Sequence, residues 1–473
     1  MAMGRRKHRQ RGLWIETGQL ARGPGHPFYQ RLNELLGKAG FDSFAEGVCQ
    51  KFYAEVMGRP SLSPGVYFRL LLIGYFEGID SERGIAWRVA DSLALREFLG
   101  YELSQATPDH STISRTRRLI DQETHEEVFT WVVGVLAKEG LLQGETLAID
   151  ATTLEANAAL RSIVRRDTGE SYQQFLERLA KASGIATPTR QDLARIDRNR
   201  GGKGSNDDWE HPHDPEARIT KMKDGRTHLA HKAEHVVDLD TGAIVAVTVQ
   251  SFDGGDTASS KATLQEAMHV IADVCEDADA ASALSSSVFA ELVADKGYHS
   301  NEVLQAQAEL GIRTYISEPK RGRRRWRGKG RAQEAVYANR RRMRGERGKR
   351  LSRRRGEYVE RSFAHCYETG GMRRVHLRGQ GNIRKRVVVH AAAFNLGLVM
   401  RKLLGAGTPR GLAALLAAFL HTVSSRLVRC SWRRRSISRI LALAATTRAA
   451  TLIRLSRTRP PGWPELSTCA TGS

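Results

Sequence analysis

The stretch TLAIDAT, at positions 146–152, is a short apolar run with one aspartate, Asp150, near its end. Gly144 lies just before the run, and polar residues follow it. This composition predicts a buried strand. Helical patterns precede position 146 and strand-like runs follow it, so the stretch marks the change from an all-helical region to a mixed one.

Strand-like and helical runs alternate beyond this point. HKAEHVVDLD and AIVAVTVQSF read as two strands joined at Thr241 and Gly242, which predicts a tight hairpin turn. Next come a helix, SSKATLQEAMHVIADV, a strand, SVFAELVAD, a helix, NEVLQAQAEL, and a strand, RTYISEP. The order β, ββ, α, β, α, β predicts a mixed sheet flanked by helices, which is an α/β fold.

A helical domain is predicted ahead of this sheet, over residues 26–140. Ser63 and Pro64 provide a cap and a first-turn proline for the apolar helix VYFRLLLIGYF. Two further helices are predicted in DSERGIAWRVADSLALREFLG and DHSTISRTRRLI. The last offers three arginines to DNA, as in a helix-turn-helix: Arg115, Arg117 and Arg118. The alternative is a helix whose arginines form a solvated face.

Positive charge is concentrated in one segment, residues 320–355. Eighteen Lys or Arg against two Glu give this segment sixteen of the 22 net positive charges of the chain. Such a density predicts a segment that binds a polyanion such as DNA or RNA. Its candidate phosphate contacts are Arg323, Arg324, Arg325, Arg354 and Arg355.

Composition argues against membrane proteins and secreted proteins. No run of eighteen uncharged apolar residues occurs, and the start MAMGRRKHRQRGLW has charge but no apolar signal core. The five cysteines are scattered without a CxxC pair, so neither a disulfide framework nor a zinc ribbon is expected. We therefore expect a cytoplasmic, nucleoid-associated protein without membrane contact.

Asp150 and Asp295 each come at the end of a predicted buried strand. If both strands are central and parallel, these side chains project from neighbouring strand ends. Two converging carboxylates favour a hard cation such as Mg²⁺ or Mn²⁺, and a helical carboxylate, Glu360, would allow a two-ion site for phosphodiester chemistry. The alternative is that an Asp closing a strand only forms a turn or a helix cap. Three other aspartates also follow strand-like runs: Asp238, Asp240 and Asp256.

Six segments occur in an order that one known family shares. They are RPSLSPGVYFRLLLIGYFEGIDSERGIAWRVADSLALREFLG with TPDHSTISRTRR, then AIDATTLEANA, DPEARITK, HKAEHVVDLDTGAIVAV, VADKGYHS and YVERSFAHC. From about residue 26 to residue 404 the chain thereby resembles DDE-type transposases of bacterial insertion sequences. In the branch concerned, an N-terminal helical domain precedes a ribonuclease-H-like catalytic domain.

The resemblance implies four regions in the chain. The helical domain would bind DNA, and the catalytic domain would carry insertions at about 153–226 and 319–356. The regions are a basic arm at 1–25, the helical domain at 26–140, the catalytic domain at 145–405 and a basic C-terminal appendage at 406–473.

Residue by residue, Asp150, Asp295 and Glu360 match the catalytic, metal-binding carboxylates of the family, which implies two Mg²⁺ or Mn²⁺ ions. The family often has an Arg four residues before the Glu and a Lys seven residues after it, where this chain has Gly356 and Tyr367. The remaining candidate DNA contacts are Lys296, Tyr298, Arg361, Arg373 and Arg374. His299 also follows the second aspartate as in the family, and a solvent-facing role is the alternative for it.

The implied function is binding of terminal inverted repeats, followed by metal-dependent cleavage and strand transfer. The partners would be double-stranded DNA, as element ends and target, and further copies of the chain in a homodimer or larger synaptic complex. Two alternatives stay open, a metal-dependent nuclease or resolvase that does not join DNA, and a catalytically inactive DNA-binding copy. A dense group of histidines lacks compact ligand spacing, so ordinary hydrogen bonding is its expected role: His211, His213, His228, His231 and His235.

Overall fold

The computed structural model describes residues 25–54, 61–201, 204–222, 225–252, 255–320, 322 and 324–425. The described residues up to Pro409 form one compact unit, and those from Arg410 form a second, helical one. The basic arm and the part of the appendage beyond residue 425 lie outside the described residues. The first unit begins with α1 (Pro27–Lys38), α2 (Phe41–Cys49), α3 (Pro64–Glu77), α4 (Glu82–Asp91), α5 (Leu93–Phe98), α6 (His110–Leu119) and α7 (Gln122–Lys138).

Strands and helices are mixed after α7. The first part contains β1 (Thr146–Glu155), β2 (Val164–Arg165), α8 (Tyr172–Ala182), α9 (Arg190–Asn199), β3 (Trp209–Glu210), β4 (Arg218–Lys221), β5 (Thr227–Asp238) and β6 (Ile244–Gln250). The second part contains α10 (Asp256–Glu276), α11 (Ala278–Ala283), β7 (Glu291–Ala294), α12 (Asn301–Glu309), β8 (Arg313–Ile316), α13 (Gly330–Arg344), α14 (Glu346–Ala364) and α15 (Gln380–Leu404).

The main sheet has the order β6-β5-β1-β7-β8, and β4 pairs with the first part of β5 on the same side as β6. β5 runs antiparallel to both β1 and β6. β7 is parallel to β1, and β8 is parallel to β7. This arrangement confirms the predicted fold class, a mixed sheet flanked by helices and preceded by an all-helical region.

α15 joins the helical region to the sheet, because it packs against α3, α7 and β6. Its buried side chains include Val387, Ala391 and Phe394. It lies in the one helical stretch of the described chain, Gln380–Ser425, that is long and apolar enough to cross a membrane. Since 72% of the apolar window of that stretch is buried inside the protein, this is the packing of a core helix.

Two buried asparagines close the two edges of the sheet. The side-chain oxygen of Asn395 on α15 accepts from the Ile244 N–H at 2.9 Å, and its nitrogen donates to the Ile244 carbonyl at 2.7 Å. Asn339 on α13 makes the same pair of bonds to Ile316, at 2.9 and 2.8 Å. Unpaired backbone groups at an edge strand are costly when buried. The two side chains therefore fix where α13 and α15 dock.

The polar region between β1 and β5 folds as a small subdomain. It contains the two helices α8 and α9. The apolar side chains at its centre are few and far apart in the sequence, so they form no periodic pattern from which a core could be predicted. They are Ala156, Ile163, Trp209, Ala217 and Leu229, with Tyr172 and Phe175 packed against them.

Most of the arginine-rich segment forms α13 and the first part of α14. The helix that carries Glu360 begins at Glu346, well inside the basic run. Arg and Lys are good helix formers, and Leu351 and Val359 give α14 an apolar side to bury. Glu360 therefore shares one continuous helix with Arg354 and Arg355.

We expect Asn395→Leu to lower the free energy of unfolding by about 3 kcal/mol, because it leaves a buried N–H and a buried carbonyl of Ile244 without partners. Asn382→Ala, on the same helix and near the surface, is the matched control, and we expect a change within about 0.5 kcal/mol. Urea unfolding of the two variants measures both. Equal effects would contradict the role assigned to Asn395.

Candidate active site on the central sheet

The register of two parallel strands brings Asp150 and Asp295 together. β1 and β7 are paired from Thr146 opposite Glu291 to Ile149 opposite Ala294. Asp150 is the next residue of β1, and Asp295 is the residue directly after the end of β7, so they lie side by side. Side chains alternate along a strand, which places both on the sheet face of Thr146 and Glu291. Those two side chains are hydrogen-bonded at 3.0 Å.

The surroundings of Asp150 disfavour the ionised form of its carboxyl group, because they raise its pKa. Burial is the main cause that raises its pKa, and the neighbouring charge of Asp295 raises it further. The guanidinium of Arg355 and the N–H of Ala151 act in the opposite direction without cancelling the shift. Arg355 donates a hydrogen bond to Oδ2 of Asp150 and is the positive charge nearest to it in this structure.

α14 lies across this face of the sheet and is attached along its length. Near its start, Arg347 bonds the carboxylate of Glu291 at 2.6 Å. Near its end, the Ser362 hydroxyl lies 3.0 Å from Nδ1 of His235, the residue paired with Asp150 across β1 and β5. Burial lowers the pKa of His235 to about 3, so this imidazole is neutral at physiological pH. The contacts hold α14 over Asp150.

Glu360 lies on an exposed side of α14. Tyr358, on one side of the helix, packs against Gly242 in the turn between β5 and β6. With about 3.6 residues per turn, Glu360 projects from the side of α14 opposite to Tyr358. The hydroxyl of Tyr367 donates to the Thr153 carbonyl at 2.7 Å, near the carboxyl end of β1. At about 100° per residue, Glu360 is turned roughly 140° from Arg355, the residue of α14 that contacts Asp150, so Glu360 does not face Asp150 in this structure.

The arrangement brings two carboxylates together. Among the described residues, no three His, Cys, Asp or Glu side chains lie close enough together to hold a metal ion. Asp150 and Asp295 form an adjacent pair of the kind a divalent cation neutralises, and Arg355 provides the counter-charge here. Glu360 is exposed and would have to approach the pair to become a third ligand.

The three alternative aspartates have other partners. Asp238 is completely buried and accepts bonds from three backbone N–H groups, at 2.8, 2.9 and 3.4 Å, and from a hydroxyl at 2.9 Å, so it closes a turn. Asp240 pairs with Arg354 at 3.2 Å. Asp256 pairs with Lys232 at 2.7 Å.

The arginines of α6 divide into two kinds. Arg115 and Arg118 are exposed on a helix whose start is capped by Asp109, which accepts from the Thr112 N–H at 2.8 Å. Arg117 is 9% exposed and bonds Glu82 on α4 at 2.7 Å, so it ties the two helices together. A contact of Arg117 with DNA remains a prediction, and its guanidinium is engaged here.

Of the three candidate residues that follow Asp295, one is exposed and two are buried. Lys296 is exposed. Tyr298 is 1% exposed and donates to Glu234 at 3.1 Å. His299 is also 1% exposed, so the solvent-facing alternative for this residue is wrong.

The other predicted DNA contacts lie on or near the basic helices. Arg324 is half-buried and bonds Glu318 at 2.9 Å, while Arg325 is exposed. Arg323 lies outside the described residues. The remaining three arginines pair with surface carboxylates and keep much of their side chains in solvent: Arg361 with Glu357, Arg373 with Glu368, and Arg374 with Glu155.

The two positions where the resemblance expects Arg and Lys have different surroundings. Gly356 borders open space, because an added Cβ would meet no atom within 4 Å. Tyr367 is held against β1. Arg355, one residue before Gly356, turns instead towards Asp150.

Three of the five histidines contact polar side chains. His231 Nε2 lies 3.1 Å from Asp214 Oδ2, with both side chains fully buried. His228 lies 3.4 Å from Glu155, and His235 contacts Ser362.

The sequence analysis did not predict a cluster of buried polar side chains around Glu234, on the face of the sheet opposite α14. Lys232 and Glu234 are two apart in an otherwise apolar strand, so their side chains must share one face. Charged residues on a buried face need partners, and this was the signal that could have revealed the group.

The strand order, with one aspartate on β1 and another directly after the neighbouring strand β7, defines a ribonuclease-H-like domain. A family model described as "Transposase DDE domain" matches residues 143–396, more than half of the chain, and one described as "Transposase domain (DUF772)" matches residues 18–119. The chain therefore belongs to the DDE transposase family, which confirms the resemblance. No curated protein and no solved structure matches it.

Proposed function

We propose that this transposase binds the terminal inverted repeats of an insertion sequence and catalyses metal-dependent DNA cleavage and strand transfer. The observation that carries the proposal is the side-by-side placement of Asp150 and Asp295 beneath α14. Glu360 is assigned as the third carboxylate from its match to the family motif, and from its exposed position on α14 it would have to approach the pair. The protein would act in the cytoplasm, associated with the nucleoid.

Asp150, Asp295 and Glu360 would hold one or two Mg²⁺ or Mn²⁺ ions. Bound ions supply activation of water or a 3′-hydroxyl and stabilisation of the leaving oxygen. Asp150 and Asp295 already lie side by side, whereas Glu360 would have to approach them from the helix. DNA phosphate oxygens would complete the set of ligands, because hard cations prefer oxygen.

Arg355 has a defined part in this proposal. Its guanidinium neutralises Asp150 when no ion is bound, and the two cations compete for one carboxylate. Arg355 must leave Asp150 when an ion binds there, and it is then free to contact a DNA phosphate. One arginine thus serves the resting site and the loaded site in turn.

The DNA interface would combine the exposed arginines of α6 with the basic surface of α13 and α14. Arg115 and Arg118 would contribute to recognition of the element ends. Exposed basic residues of α13 and α14 would hold the DNA backbone, which is where basic proteins gain most of their affinity: Arg331, Arg341, Arg344, Lys349, Arg350 and Arg353. Two ends must be brought together, so we propose a homodimer or larger synaptic complex.

A second candidate is a catalytically inactive DNA-binding copy. Two observations favour it: the described residues hold no preformed group of three ligands, and the positions expected to bind the DNA end are Gly356 and Tyr367. A nuclease or resolvase of the same fold would cleave without joining.

Cleavage of labelled DNA from immediately outside the coding region, in Mg²⁺, tests the proposal. We expect nicks at a repeat boundary, and a loss of at least about a hundredfold in rate for Asp295→Asn, because a metal ligand is removed. Asp240→Asn removes a carboxylate elsewhere on the sheet and should retain the activity.

Three results would lead to other conclusions. Binding without cleavage by the unmodified protein, in Mn²⁺ as well, would identify an inactive copy. Cleavage without joined products would identify a nuclease. Equal activity of Asp295→Asn and the unmodified protein would overturn the assigned site.

We expect Arg355→Gln to tighten Mn²⁺ binding roughly tenfold, since the competing guanidinium is removed from Asp150; tenfold corresponds to about 1.4 kcal/mol. Calorimetric titration of the DNA-free protein measures this without reference to activity. Arg354→Gln, which removes the neighbouring arginine paired with Asp240, is the matched control and should bind Mn²⁺ as the unmodified protein does. Unchanged or weaker binding by Arg355→Gln would argue against competition.

The double variant Arg115→Ala, Arg118→Ala should reduce the salt dependence of end-DNA binding. Each lost phosphate contact lowers the slope of log K against log salt by about 1. Arg31→Ala removes an exposed arginine of α1 that is paired with Glu34 and is the control. Fluorescence anisotropy at several salt concentrations gives the slopes, and equal slopes for all three proteins would exclude α6 from the interface.

A further inference from the structure

A buried polar network lies on the face of the sheet opposite α14. Glu234 on β5 is paired with Ala151, the neighbour of Asp150, so it projects from the other face, towards α10. Its carboxylate is completely buried. Four side chains donate to it: Ser259 at 2.5 Å, Thr263 at 2.6 Å, Tyr298 at 3.1 Å and Lys232 at 3.1 Å.

Stability alone does not account for this network. Lys232 balances the charge of Glu234 and also bonds Asp256 and Ser259, each at 2.7 Å. Desolvating such charges is expensive, and well-packed apolar side chains often serve stability equally well or better. A completely satisfied polar network does, however, fix the geometry of the groups that join it.

The network reaches the turn that carries Asp295. β7 ends at Ala294, so strand pairing does not hold Asp295 itself. The chain continues as a short 3₁₀ turn, Lys296–Tyr298, in which the Tyr298 N–H bonds the Asp295 carbonyl at 3.1 Å. From this turn the Tyr298 side chain reaches through to Glu234 on the far face.

A second contact holds the same turn. Gly297 lies against Asp256, and a Cβ at this position would come 2.2 Å from Asp256 Oδ2. A larger residue would therefore displace the turn or Asp256. Since Asp256 is bound to Lys232, both points of contact belong to one network, and the turn is held at two successive residues.

We infer that Tyr298 and Glu234 are positioning residues, which fix the backbone turn from which the Asp295 carboxylate projects. This rests on the proposed function, in which Asp295 binds metal. Burial raises the pKa of Tyr298, so its hydroxyl stays protonated and donates. The role differs from the DNA contact predicted for Tyr298, because a side chain 1% exposed offers no surface to DNA.

Tyr298→Phe removes the hydroxyl and keeps the ring, so it frees the turn from Glu234 without opening a large cavity. Tyr67→Phe is the matched control, because the buried Tyr67 hydroxyl bonds His125 Nε2 at 3.0 Å within the helical region. Both variants lose one buried hydrogen bond. They differ in whether that bond holds the Asp295 turn.

Two measurements on the full-length protein test the inference. Amide hydrogen exchange reports on residues 295–300 whether or not the protein cleaves DNA, and the Mg²⁺ dependence of cleavage reports on the site. For Tyr298→Phe we expect faster exchange in this segment, a roughly tenfold higher half-saturating Mg²⁺ concentration and unchanged DNA affinity. For Tyr67→Phe we expect all three to match the unmodified protein.

The outcomes separate the inference from the proposed function. Lack of cleavage by the unmodified protein would overturn the proposed function, and exchange would still test the anchoring of the turn. Exchange and Mg²⁺ dependence of Tyr298→Phe equal to those of the unmodified protein would overturn the inference. The proposed function would still stand in that case if the unmodified protein cleaved DNA. If Tyr298→Phe does not fold, Glu234→Gln weakens the same contact from the strand side. Hydrogen exchange and Mg²⁺ dependence of Glu234→Gln equal to those of the unmodified protein would also overturn the inference.

Discussion

Negative charge at the centre of the sheet is the constraint on which the rest of the site depends. The register of β1 and β7 brings Asp150 and Asp295 side by side. Burial and mutual repulsion make that arrangement unfavourable for Asp150, as its raised pKa indicates. A positive charge must therefore be available, and α14 brings one in Arg355. The helix that supplies this charge also carries Glu360.

The two faces of the sheet have different tasks. On one face, Arg347, Arg355 and Ser362 attach α14 across three strands, so the helix is placed by polar contacts on a sheet rather than by its apolar side alone. On the other face, a satisfied network around Glu234 holds the turn beyond β7. Asn339 and Asn395 close the sheet edges, which fixes the frame on which both faces are built.

The sequence was sufficient for the fold class and for the neighbouring aspartates, because apolar runs such as TLAIDAT and ELVAD are short, buried and bounded by polar residues. It was not sufficient for the contacts of the basic segment. Eighteen similar cations look alike in a sequence, and only the register of α14 on the sheet selects Arg355 to face Asp150. The burial of Tyr298 could not be predicted either, since the sequence near Asp295 is the same whether this tyrosine contacts DNA or Glu234. The subdomain before β5 was missed because its core relies on Trp209 and a few scattered apolar side chains.

The most direct test of the account is to locate Mn²⁺ by anomalous X-ray scattering in crystals of the protein with its end DNA. The account predicts anomalous density between Asp150 and Asp295, with Arg355 turned away from Asp150 and Glu360 drawn towards the ion. Saturating Mn²⁺ that leaves this position empty, with Arg355 still bonded to Asp150, would contradict it.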